Sequence, residues 1–155
     1  MGRNNIGNVT FVTFPLEGSD VDPAAAIPAS ALQYAFSKST SFGLAAGANP
    51  VTGEYEVHVA NNVGTVLGFH AKATVPGSSA SVTVDLKKNG TSILSAPITL
   101  TNVTGAGTPQ NATISTPSLA AGDRLTALLT VSSSTGMTGV SAWVNGVEIS
   151  QPLGG

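Results

Sequence analysis

The stretch 80–100, ASVTVDLKKNGTSILSAPITL, alternates without error through its first half. Ala80, Val82, Val84 and Leu86 fall on one face and Ser81, Thr83, Asp85 and Lys87 on the other, the pattern of a β-strand with one wet side. Asn89-Gly90 supplies the turn, and the loop length sets the register. A two-residue turn would set Leu86 against Ile93 but Val84 against Ser95 and Val82 against Pro97, which puts polar atoms on the apolar face. A three-residue loop, Lys88-Asn89-Gly90, with Gly90 left-handed in a type I turn plus G1 bulge, pairs Val84 with Leu94, Val82 with Ala96 and Ala80 with Ile98. That second register is the expectation. It leaves Ile93 pointing outward and Lys87 and Lys88 in solvent at the hairpin tip.

The 155 residues give room for one domain with a core of its own and an added arm. With 18 Gly, 9 Pro, abundant Thr, Val, Ser and Ala and only 9% charged residues, the composition is that of an all-β protein rich in turns. A net charge of −2 offers nothing to a polyanion, so no nucleic acid is expected as partner. Without cysteine there is neither a disulfide framework nor a thiolate metal site. The start, MGRNNIGNVTFVTF, lacks the apolar run of a signal peptide, and no apolar stretch of about 18 residues exists to cross a membrane. Synthesis in a cytoplasm and no membrane partner are the expectations. Soluble monomers ordinarily carry about a quarter to a third charged residues on their surface, so hydration of Ser, Thr and Asn or burial against other subunits must compensate here. Burial in a homo-oligomer is preferred.

Residues 1–50 read differently from the rest. A strand-like piece, Val9-Thr10-Phe11-Val12-Thr13-Phe14, ends at Pro15. The segment EGSDVDPAAAIPAS that follows has no consistent period and reads as an extended or irregular arm. Residues 31–42 suit a strand with Leu32, Tyr34 and Phe36 on one face. Phe11, Phe14, Tyr34, Phe36 and Phe42 must bury their rings, either in the chain's own sandwich or on a neighbouring subunit. From Gly53 the strands are cleaner. Tyr55, Val57 and Val59 are expected inside with Glu54, Glu56 and His58 outside; after an Asn61-Asn62 turn, Leu67, Phe69, Ala71 and Ala73 are expected on one face and Gly68, His70 and Lys72 on the other. Pro76-Gly77-Ser78-Ser79 reads as a loop, 113–116 as a short strand, Leu119 to Asp123 as a corner and 132–136 as a turn. The corner launches Leu125, Ala127, Leu129 and Val131 inward, with Thr126, Leu128 and Thr130 outward. A last strand, 140–144, sets Trp143 opposite Ala142 and Val144, and Asn145-Gly146 then bends the chain. Seven or eight such strands imply an antiparallel β-sandwich, jelly-roll-like, over 51–155, with an N-terminal arm over 1–50.

Reactive groups are few. His58 and His70, joined by Glu56, would share a sheet face if their strands paired through the Asn61-Asn62 turn, but two solvated histidines is the plainer reading and no metal is expected. Glu17, Asp20 and Asp22 offer calcium hard oxygens, yet the run lacks the spaced Gly and distal Glu of an EF-hand, and a solvated acidic loop is preferred. No acid pair is placed for glycoside hydrolysis, and no nucleophile elbow, phosphate loop or zinc-protease helix is present, so no enzyme and no cofactor are expected. The Asn-x-Ser/Thr triplets at Asn8, Asn89, Asn102 and Asn111 arise readily in a chain so rich in Asn and Thr. Trp143 is left to stack on a sugar, to fill a subunit contact or to cover the sheet beneath the arm.

In its hairpin and later corner, VDLKKNGTSILSAPITL and SLAAGDRLTALLTV, the chain resembles a family of small β-sandwich domains found among tailed-phage virion proteins and related bacterial and environmental sequences. The resemblance covers roughly residues 63–145 and rests on a K-N-G-T turn and an A-A-G-D corner. It implies a virion structural role and transfers no catalytic residue. The resulting expectation is a capsid-decoration (cement) protein located in the virion. It would bind the major capsid protein as a homotrimer, with Val9, Phe11, Phe14 and Trp143 as partner contacts. The alternative is a carbohydrate-binding module of a tail or head fibre, contacting its ligand through Trp143, Tyr55 or the loop 101–110.

Overall fold

The computed structural model describes residues 33–45 and 47–149, together with the backbone of two short strands, β1 (Asn5–Ile6) and β2 (Val9–Thr10). These two pair antiparallel, Ile6 against Val9. Phe11, Phe14, Glu17, Asp20, Asp22 and Leu32 lie outside the described residues, as does the side chain of Val9. The fold of the described residues is all-β and antiparallel.

Two long strands carry it. β5 (Gly64–Lys88) and β10 (Arg124–Ile149) pair antiparallel from Leu125↔Lys88 to Glu148↔Gly64. Strands this long cannot stay flat, because twist accumulates along them. The ladder breaks register between Val131 and Ser133 and again between Thr135 and Met137. Gly77, Gly136 and Gly139 there take φ of 77°, 71° and 65°. A Cβ on Gly77 would lie 2.6 Å from the Met137 nitrogen, so the corner admits only glycine. Residues 76–79 and 132–136, expected as a loop and a turn, are therefore paired bends inside continuous strands, at which the sheet curls.

On one side of the bend, β4 (Gly53–Val59) pairs β10, while β6 (Thr91–Ser92) and β7 (Ile98–Thr101) pair β5. On the other side β3 (Gln33–Thr40) pairs β10, while β8 (Gln110–Ala112) and β9 (Ser118–Leu119) pair β5. One apolar cluster draws on both halves: Val82, Val84, Leu86, Leu125 and Leu129 with Phe69, Ala71, Val140, Ala142 and Val144, all at most 1% exposed. Phe36 and Phe42, from the segment read as an arm, sit in this same core.

The hairpin takes the register that was rejected. Lys88 pairs Thr91 and Lys87 pairs Ser92 across a two-residue turn, Asn89 at φ 51° and Gly90 at φ 84°, as a type I′ turn requires. Polar atoms stay off the apolar face because pairing stops after Ile93, whose N–H reaches Leu86 O at 3.0 Å. The chain then leaves the ladder, Leu94 bridges Ile114, and Ile98 rejoins opposite Val84. Ile93 consequently points inward, 2% exposed, rather than outward. The piece expected as a strand at 113–116 contributes only that bridge, the true strand being β8.

Bulges account for the other departures. Gly68 faces Asn145 and Val66 faces Gly146, so Leu67 is the extra residue; it is 63% exposed, and Val66 takes its place inside. In β4 the extra residue is Val57, and beyond it His58 turns inward and Val59 outward at 40% exposure. β4 pairs β10 and not β5, and with His58 turned into the core while His70 stays on the outward side, the two histidines do not share a face. Asn145-Gly146 makes no bend: β10 runs on to Ile149, and Gly146 is where the Phe36 ring comes close against the strand.

Candidate functional site

Beyond the bend, the outward side of the sheet is built from alternate residues of β3, β10, β5 and β8. Register aligns Ser39, Trp143, His70 and Asn111 in one row across these four strands. The Trp143 and His70 rings stack with centroids 5.2 Å apart and planes at 18°. His70 Nδ1 lies 2.6 Å from Asn111 Oδ1, which fixes the imidazole. Gly68 clears the space beside it, since a Cβ there would come 3.0 Å from His70 Nε2.

The two ring faces of Trp143 therefore meet different surroundings. His70 covers the β5 side, whereas across the ladder on the β3 side the pairing partner of Trp143 among the described residues is Ser39. Ser141 and Asn145 precede and follow Trp143 at the two-residue spacing of one face, and Ser37 lies opposite Asn145. Among the described residues, Lys72 is the one charged side chain on this outward face; Ser37 and Ser39 are exposed and Trp143 half-buried.

Charge gathers instead around the outward face of the other half. Lys87 Nζ is 3.3 Å from Glu54, Arg124 is 2.7 Å from Glu56, and Lys88 is 3.8 Å from Asp123. Thr126 Oγ1 donates to Glu54 at 2.6 Å, and with Lys87 holds that carboxyl below its ordinary pKa. Glu54, Glu56, Arg124, Thr126, Asn89 and Gly90 line an open recess of about 370 Å3, whose two acids are paired with Lys87 and Arg124. Asp123 is also held down, by the Ala120 N–H and the Asn89 amide.

A third polar cluster is buried. Glu148 is fully buried on β10 and accepts from Tyr34 Oη at 2.6 Å and from the Asn61 and Asn62 N–H groups at 3.0 and 3.1 Å. His58 Nε2 sits against its other oxygen, and Phe36 stacks on His58 at 4.2 Å. Burial pushes the carboxyl up, but the Tyr34 and His58 hydrogen bonds outweigh it and leave the pKa lowered. Tyr34, facing that carboxylate, is raised.

The sequence-derived candidates thus separate. Trp143 and His70 come together. His58 is drawn to Glu148 and Glu56 to Arg124, and among the described residues no three metal-ligating side chains gather. Tyr55 packs edge-on against Phe42, centroids 5.7 Å apart, and is committed to the core margin. The loop 101–110 is tied to β5 through the Gly107 N–H on Ala73 O. Sequence reading missed Glu148, although it shares the parity of Ala142 and Val144 on the buried face. It also missed Ser37 and Ser39, for which no local signal exists, because their place beside Trp143 is set by pairing about a hundred residues away in the chain. No protein-family model and no curated protein matches the chain.

Proposed function

We propose that the chain is a virion structural protein of the capsid-decoration type, a jelly-roll sandwich that binds the outside of a shell as a symmetric trimer. Strand order supports the sandwich. β3–β10–β5–β8 on one side of the bend and β4–β10–β5–β7 on the other is what results when a long antiparallel hairpin is folded over on itself, the double-sheet arrangement used by viral capsid and lectin domains. Fold alone does not give function, so the reading rests on an edge.

That edge is β3. It spans eight residues, pairs β10 on one side and no strand on the other among the described residues, and is exposed at all but Phe36 and Thr40. Lys38 is its only charge, whereas β4, the strand that flanks β10 in the other half, is guarded by Glu54 and Glu56. A long, weakly charged edge is a template for strand addition. Upstream of β3 the chain carries the apolar, β-prone run Val9-Thr10-Phe11-Val12-Thr13-Phe14, with Val9 and Phe11 on one face and Phe14 on the other. The proposed occupant is this segment from a second copy, which closes the ring and leaves the assembled ring to dock on the major capsid protein.

The test is the solution mass of the full chain and of a chain lacking residues 1–20, by light scattering, with circular dichroism to confirm that both fold. A trimer that falls to monomers on truncation is expected. A full-length monomer, or a trimer that survives truncation, overturns the assembly.

A further inference from the structure

The ring face of Trp143 turned away from His70 looks across the ladder toward Ser39, and the side chains around it have the chemistry of a sugar site. We propose that it binds one neutral pyranose of a surface glycan, stacked on the indole above Ser39. His70 backs the indole from the other side and is held by Asn111, so the ring is set before any ligand arrives. Neighbouring strands lie about 4.8 Å apart, and the residue opposite Trp143 is a serine, so the open side has room for a flat ring. A pyranose offers an apolar C–H face to an aromatic ring and hydroxyls around its rim. Ser37, Ser39, Ser141 and Asn145 surround this ring face with groups that both donate and accept.

Charge narrows the ligand further. Among the described residues no acid lies on this face to suit a cation, and Lys72 stands on β5 opposite Ser141, one strand away from the Ser39 side. A neutral hexose fits better than an anionic sugar. The site stands apart from the trimer proposal, because it uses the outward face of β3 and β10 and not the β3 edge, so either reading can fail alone.

Trp143 is the only tryptophan, so its emission reports the site directly. The experiment titrates the full chain with the methyl pyranosides of glucose, galactose and mannose and with oligosaccharides of each, following tryptophan fluorescence. A saturable change with at least one sugar is expected. Ser39→Leu, which fills the Ser39 side from an exposed strand position, should weaken binding roughly tenfold or more, on the scale of one lost aromatic stacking contact. Trp143→Ala, read by calorimetry, should do the same, and Thr126→Ala in the other half should leave affinity unchanged. No saturable change with any of these sugars overturns the proposal. So does binding that survives Ser39→Leu, or an emission change that follows protein concentration alone and marks the face as a subunit contact.

Discussion

Replacing Glu148 by alanine removes the acceptor on which β3, β4, the 60–63 turn and β10 converge. Four donors lose their partner: the Tyr34 hydroxyl, His58 Nε2 and the backbone N–H groups of Asn61 and Asn62. Tyr34, 40% exposed, can turn to water, but the His58 side chain, 7% exposed and covered by Phe36, cannot. Stranding one member of a buried pair costs about 3–5 kcal/mol, and each turn N–H that is poorly resolvated adds about 1 kcal/mol or less. A loss of about 3–7 kcal/mol is a large part of the 5–15 kcal/mol that holds a typical domain together. Glu148→Gln keeps the shape and one acceptor oxygen but turns an amide N–H toward donors, so it should cost about half as much. The pH dependence has a fixed sign. Because the folded carboxyl is held below its ordinary pKa, its contribution is complete above the unfolded value and is lost as pH falls through the folded one. The assay is urea unfolding by circular dichroism at one protein concentration, from neutral pH down through the carboxylate range. Wild type should weaken with acid more steeply than Glu148→Gln. An alanine variant within about 1 kcal/mol of wild type, or acid limbs that superimpose, would refute the reasoning.

Gly146→Ala should destabilise by about 2 kcal/mol or more, since its Cβ would meet the Phe36 ring and the Thr65 carbonyl oxygen at 2.7 Å, with Phe36 pinned on His58; thermal melting against wild type measures it. Gly90→Ala should cost about 1–2 kcal/mol through its left-handed backbone alone, because nothing crowds the new methyl. Asn89→Ala should cost as much or more. It loses the 2.9 Å acceptor for the Arg124 N–H and the 2.7 Å bond to Asp123 as well as a residue tolerant of φ 51°. Denaturant unfolding of the two turn variants checks the order. Asp123→Asn should flatten part of the acid limb for the same reason as Glu148→Gln, since that carboxyl too is held low.

Alternation was legible wherever a strand is wet on one side: Ala80, Val82, Val84 and Leu86 are buried, as are Leu125, Ala127 and Leu129. The A-A-G-D corner was legible from turn chemistry, and Gly122 is left-handed there at φ 87°. Parity was lost where one residue was added. Nothing local distinguishes Val57 or Leu67 as the residue that a partner strand will leave unpaired, and each such residue flips everything beyond it. The hairpin failed for a related reason. The two-residue turn was rejected by carrying its register to Ser95 and Pro97, but the ladder ends at Ile93, and a register argument holds only as far as the pairing does. Of the candidate site, Trp143 was visible as an outward aromatic, while His70, Ser39 and Asn111 joined it through three separate long-range pairings.

The sparse charge acquires a structural meaning from the β5–β10 pairing. Lys88 against Leu125 sets the Asn89-Gly90 turn beside the Gly122 corner, where Asn89 accepts from the Arg124 N–H and donates to Asp123. Lys87, Lys88, Asp123 and Arg124 therefore collect at one end of the molecule, with Glu54 and Glu56 supplied by β4. Exposed pairs of this kind contribute at most about 1 kcal/mol each, so their main consequence is placement. They gather six of the ten charged side chains among the described residues at one end and leave Lys72 as the one charge on the outward face around Trp143. Such a face stays hydrated without repelling a neutral ligand. Its neighbouring edge, β3, carries one lysine against a paired partner. On the proposed reading, a surface divided in this way separates two tasks, assembly at the edge and recognition on the face. That division is why the truncation and the Ser39 substitution probe different properties of one small domain.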